Sequence, residues 1–154
     1  MAMHKADDLN PAVAIVFEEL DKLNLGMLRC GIGILNRQKR TVEVWSTSAS
    51  DKGTTVQVSG DESMDIHPLL QGAFDAWLKR TDFSYTLQGD DLLQYYKAVG
   101  GTNIRLPQSQ TEVMRQYYHV TPFDAGSLFA FRETEFTDEG KVVMKRFANV
   151  FNLT

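Results

Sequence analysis

Residues 28–48, LRCGIGILNRQKRTVEVWSTS, constrain the fold more than any other stretch. Leu28, Cys30, Ile32 and Ile34 alternate with Arg29, Gly31, Gly33 and Leu35. Further on, Val42 and Val44 alternate with Thr41, Glu43, Trp45 and Thr47. A period of two is what a strand with two unlike faces demands. The linker NRQKR (36–40) is short, polar and basic, so the two strands are expected to be antiparallel neighbours. Gly31 and Gly33 weaken a strand and leave a groove, which implies that a helix, another backbone or a ligand comes close.

The remaining segments supply the partners of this hairpin. Asn10-Pro11 opens a helix whose apolar stripe is Val13, Val16, Phe17, Leu20 and Leu23. Residues 54–59 read as a third strand, followed by an acidic loop at 60–65 whose spacing does not suit calcium. A helix over 67–80 has Pro68 in its first turn and Leu69, Leu70, Ala73, Phe74, Trp77 and Leu78 on one side. Then come a strand at 83–88, a short helix capped by Asp90 or Asp91 and stopped by Gly100-Gly101, and an irregular loop at 102–112. Strands at 116–122 and 127–133 follow, and Thr137 caps a last helix carrying Val143, Phe147, Val150 and Phe151. Hairpin links between neighbouring strands predict an antiparallel sheet, and the whole an α+β sandwich.

The 154 residues carry a formal net charge of −4, with basic residues scattered, which argues against a nucleic-acid surface. One cysteine excludes an internal disulfide and a Cys-rich zinc site and fits a reducing compartment. No apolar run reaches the roughly 20 residues of a membrane span, and the N-terminus lacks a signal-peptide core. The expectation is a cytoplasmic chain with no membrane insertion by this segment.

The order of elements along nearly the whole chain resembles a GAF domain, the small-molecule-sensing α+β module of signalling proteins. Phe136-Thr137-Asp138-Glu139 is similar to the opening of the last GAF helix. Met1-Ala2-Met3-His4-Lys5 with Leu9, the strand Arg29-Cys30-Gly31-Ile32-Gly33 and Val42-Glu43-Val44-Trp45 resemble GAF-like sensor regions of bacterial two-component histidine kinases. The resemblance implies N- and C-terminal helices on one sheet face and a ligand pocket on the other, roofed by 60–75 and 89–115. It also implies that residues 1–9 end an incoming linker helix, that 10–154 form one sensor domain, and that the last helix continues into a longer parent protein. The signature of cyclic-nucleotide-binding GAF domains is missing. Cys30, on the expected core face, is poorly placed to carry a bilin. A single thiol cannot run the disulfide chemistry of the GAF methionine sulfoxide reductases.

Candidate chemistry is sparse. Cys30 reads as a buried, inert thiol. His4, His67 and His119 share no metal-ligand spacing with one another or with a carboxylate on one element, and His67 reads as a helix cap. Gly31-Ile32-Gly33 lies inside a strand and lacks the third glycine of a dinucleotide fingerprint. No Gly-x-Ser-x-Gly, no P-loop and no acid/base pair stands out, and nothing names a cofactor. Trp45, Tyr85, Tyr95, Tyr96, Tyr117 and Tyr118 suit either an amphipathic pocket wall or ordinary packing. Arg29 and Arg132 offer charge to an anionic ligand. The candidate ligand-binding set is Arg29, Gly31, Gly33, Trp45, Tyr85, Tyr118 and Arg132, with no catalytic or metal residue.

The function expected is a sensory module, not itself an enzyme. It binds a small molecule or relays a signal through its terminal helices to a kinase or cyclase output domain in the same parent chain. A homodimer through residues 1–23 and 138–154 is the expected assembly. The alternatives are a small stand-alone enzyme on the same scaffold and a ligand-free dimerisation spacer.

Overall fold

The alternation along 28–35 builds the centre of the sheet. The structure, a computed structural model, describes residues 15–16, 18–19, 27–50, 53–100 and 115–152. Six strands, β1 (Met27–Asn36), β2 (Thr41–Ser50), β3 (Gly53–Ser63), β4 (Phe83–Gln88), β5 (Arg115–Pro122) and β6 (Gly126–Arg132), form one sheet in the order β3-β2-β1-β6-β5-β4. Every neighbouring pair is antiparallel. Among the described residues, three helices are given whole: α1 (Pro68–Lys79), α2 (Gly89–Gly100) and α3 (Asp138–Val150), which with the sheet make an α+β fold.

The edge strands β3 and β4 are consecutive in sequence, so the chain must cross the whole sheet between them. It does so as α1, and α2 returns from β4 toward β5 over the same face. One core therefore joins Leu35, Val42 and Val44 of the sheet to Leu69, Phe74 and Trp77 of α1 and Leu92, Tyr95 and Val99 of α2. The opposite face packs Cys30, Ile32 and Trp45 against Met144, Ala148 and Phe151 at the chain's end and Val16 near its start. Ile15, Val16, Glu18 and Glu19 are helical, with Val16 buried and the other three exposed. Val13, Phe17, Leu20 and Leu23 lie outside the described residues, as do residues 1–9 and 102–112. Trp45, Phe74 and Phe131 are almost completely buried. Each such side chain contributes roughly 1.5–3 kcal/mol on leaving water.

Local signals set the boundaries. The Asn36 side chain accepts from the backbone N–H groups of Gln38 and Lys39, and Arg40 takes a left-handed φ of 54°, which turns the chain from β1 into β2. At α1, His67 Nδ1 accepts from the Leu69 N–H at 3.0 Å and Pro68 fills the first turn. Thr137 caps α3 by accepting from the Gly140 N–H at 3.0 Å.

The structure corrects three sequence expectations. β3 continues to Ser63, so residues 60–63 are strand rather than loop. β2 is ten residues long and pairs from Thr41 to Ser50, with two β3 residues between Val58 and Asp61 set against one between Glu43 and Trp45. The second helix begins at Gly89, whose φ of +57° suits glycine, and the Asp91 carboxylate bonds other side chains instead of acting as the cap. Trp45 pairs with Ile32 in the β1–β2 register and points to the terminal-helix face, away from Arg29 and Gly33. Residues directly opposite in an antiparallel pair share a face, and that register fixes Trp45.

Gly31 owes its identity to backbone, not ligand. A Cβ there would lie 2.3 Å from the Trp45 carbonyl oxygen and 2.8 Å from the Ser46 Cα. At Gly33 the near atom is a side-chain methyl, Val42 Cγ2 at 2.6 Å. Gly31→Ala is expected to destabilise the protein by about 1–3 kcal/mol or more, and Gly33→Ala by clearly less, because a side chain yields where a backbone does not. Urea unfolding of the two variants checks the order; equal losses would contradict it.

Candidate functional site

The β1–β6 register places Arg29 beside Phe131, Gly31 beside Phe129 and Gly33 beside Ser127. Since β6 reads Ser127, Phe129, Phe131 on one face, a wall of two rings and a hydroxyl stands next to Arg29 and Gly33. Val42 and Val44 of β2 and Tyr118 of β5 extend it, and Tyr95 descends from α2. Met64, Ile66 and Leu70 close the far side. Together they enclose a cavity of about 50 Å³. A space of that size holds a few waters, at roughly 10–15 Å³ each, or one small organic group.

Arg29 dominates the electrostatics. It is only 4% exposed, and its guanidinium carbon lies 4.3 Å from the centre of the Phe131 ring. Nη2 donates to the Tyr95 hydroxyl over 3.5 Å, at the outer limit of a hydrogen bond, and buried Nε has no partner among the described residues. Burial raises the Tyr95, Tyr96 and Tyr118 phenols above their usual range, against the pull of Arg29. All three stay neutral at physiological pH, so none offsets the charge. The carboxylate on the cavity wall, Glu62, is far along the sheet. It pairs with Val42, which pairs with Leu35, six residues from Arg29 on β1, an offset of roughly 20 Å of backbone along the strand. A cation–π contact contributes about 0.5–2 kcal/mol. Burying an ion costs several, so the site as built under-satisfies its cation.

Arg29, Gly33 and Tyr118 of the sequence-derived set therefore meet at one cavity. Gly31 shares their face beneath Phe129. Trp45 and Arg132 do not join them. Trp45 is buried on the other face with no partner for Nε1 among the described residues. The Arg132 side chain donates to the Glu135 carbonyl oxygen at 3.0 Å and lies 5.5 Å from the Phe136 ring. Tyr85 stands on edge strand β4, on the cavity side of the sheet but outside the cavity lining. Sequence reasoning missed Ser127, Phe129 and Phe131. Their alternation in SLFAFR was visible, but only the pairing of β6 with β1 brings it against Arg29.

Two histidine clusters flank the cavity elements. Because His67 Nδ1 accepts the Leu69 N–H, Nε2 carries the proton and donates to Asp91 Oδ1 at 2.8 Å. The Tyr85 hydroxyl donates to Asp91 Oδ2 at 2.7 Å, and its pKa is pushed up to about 12 by burial and by that carboxylate. The start of α1, the start of α2 and β4 are thereby tied together at the cavity's roof. On the opposite face, buried His119 lies 2.7 Å from Ser84 Oγ through Nδ1 and 3.2 Å from Asp82 Oδ2 through Nε2. The β4–β5 register sets Ser84 directly across from His119, an arrangement no sequence spacing displays. Among the described residues there is no cluster of three or more metal-ligating side chains.

Burial lowers the His119 pKa from the ordinary 6.5, outweighing the opposing pull of Asp82. Above pH 6.5 the folded and unfolded states are both neutral at this ring. Below it the unfolded state binds a proton the folded state resists, so stability falls with pH by at most about 1.4 kcal/mol per unit. Urea unfolding at pH 7.5 and 5.5 is expected to show a smaller loss in His119→Asn than in the parent protein. An equal loss would assign the pH dependence elsewhere.

Comparison with known proteins finds no matching family model, no similar curated protein and no matching solved structure.

Proposed function

We propose that this chain is a GAF-type sensory domain of a cytoplasmic signal-transduction protein. It takes a small molecule between the sheet and α1/α2 and relays occupancy through its terminal helices to a histidine kinase or cyclase output domain in the same parent chain. The observation that carries the reading is the two-sided use of β1. Arg29 and Gly33 face the cavity, while the alternate residues Cys30 and Ile32 pack on the terminal-helix core. A ligand that moves β1 acts on both cores at once. It shifts the relay only if its affinity differs between two packings of those helices. Repacking of helices by a small slide or rotation is a discrete step of the kind such relays use. Ile15 near the chain's start and Val142 and Val150 on α3 are exposed apolar residues that a homodimer through the terminal helices would cover. No helix among the described residues is long and apolar enough to cross a membrane, which agrees with a role that needs no insertion by this segment.

One observation favours the enzyme alternative. The Ser84–His119–Asp82 chain has the residue types of a hydrolase triad and borders a hollow also lined by Glu135 and Lys141. We read it as a strut, because it joins an edge strand to its neighbour. Covalent labelling of Ser84 by a fluorophosphonate would reverse that reading.

Native mass spectrometry of the freshly purified protein tests the sensor reading. The expected spectrum contains a dimer, and chains carrying the extra mass of one retained small molecule that collisional activation releases. Bare monomer alone, unchanged after incubation with a metabolite extract, would contradict the sensor reading and favour a spacer.

A further inference from the structure

Arg29 is a buried cation whose charge no described group balances. Its guanidinium offers five N–H donors in a planar fork. One makes a long bond to Tyr95, and Nε makes none among the described residues. The neighbouring phenols stay neutral, and Glu62 sits at the far end of the sheet register. The guanidinium lies against a cavity rather than in solid packing. An anion admitted there meets guanidinium donors, Nε among them, that no described residue occupies.

We infer that the cavity takes a short-chain monocarboxylate, its carboxylate docked on the Arg29 guanidinium and its hydrocarbon tail among Val44, Met64, Leu70 and Phe129. The inference rests on the small-molecule reading of the same cavity and narrows it to a ligand class. Three features select that class. The planar fork matches a carboxylate in two parallel hydrogen bonds, which a lysine at this position could not supply. A single cation balances one negative charge, and the mainly apolar wall penalises a second, which disfavours phosphate. The volume of about 50 Å³ admits a few heavy atoms beyond the head group, so the tail is short. Tyr95 holds the guanidinium from α2, so the bound anion also draws on a residue of the roof.

Isothermal titration calorimetry of the full chain tests this, with sodium butyrate, butyramide and inorganic phosphate as probes. Butyrate is expected to bind at one site per chain. Butyramide, equal in shape but uncharged, and phosphate are each expected to bind at least about tenfold more weakly. Arg29→Met is expected to lose butyrate binding by at least the same factor while still unfolding cooperatively, since replacing a buried charge by an apolar side chain of similar volume is often neutral or stabilising. Arg29→Lys, which keeps the charge but not the fork, is expected to bind with intermediate affinity. Should Arg29→Met fail to fold, the lysine variant and the butyramide comparison decide the matter. The inference is overturned if butyrate does not bind up to about 10 mM. It is also overturned if butyramide or phosphate binds as well as butyrate, or if both Arg29 variants bind like the parent. A retained non-carboxylate molecule in the native spectrum, together with no butyrate binding, would sink this inference and leave the sensor reading standing.

Discussion

A guanidinium buried in the middle of a sheet must be offset by something, and at Arg29 the described protein offers little. Phe131 presents its ring face and Tyr95 a distant hydroxyl. Together these contribute less than the several kcal/mol that taking an ion out of water costs. The surrounding phenols do not make up the difference, because burial holds their protons on. Several elements of the architecture converge on that cation. The β1–β6 register sets the ring beside it, the crossover helix and α2 roof it, and the His67–Asp91–Tyr85 cluster ties the roof to the edge strand.

The same strand carries the opposite face. At Cys30 and Ile32 it packs with Trp45 and Met144, all nearly inaccessible to solvent. Close-packed interiors transmit displacement because they lack free volume to absorb it. The backbone contact at Gly31 leaves no room even for a methyl group between β1 and β2. β1 is thus a close-packed partition with the cavity on one side and the helix-covered core on the other, the arrangement on which the proposed relay draws.

Much of this was legible in the sequence where the signal is local. Alternation from Leu28 to Leu35 foretold the two faces and the burial of Cys30. Pro68 and Thr137 marked helix starts, and the order of strands and helices was readable from turns and periodicity. What failed was nonlocal. Trp45 went to the wrong face because the face of β2 relative to β1 depends on how the four-residue turn 37–40 sets the register, including the left-handed Arg40. Arg29 and Arg132 looked equivalent as cations, yet they fall on opposite faces. Phe129 and Phe131 drew no attention, because their importance lies in which strand they meet. The Ser84–His119 contact likewise exists only through cross-strand pairing.

The central claim is that occupancy at Arg29 is felt across β1 by the terminal helix. Amide hydrogen exchange, followed peptide by peptide with and without saturating butyrate, addresses it most directly. The account predicts that butyrate alters exchange in residues 138–150 as well as in β1 and the cavity wall, and that Arg29→Met abolishes both changes. Changes confined to the cavity wall, with residues 138–150 exchanging at the same rate in both conditions, would contradict the coupling.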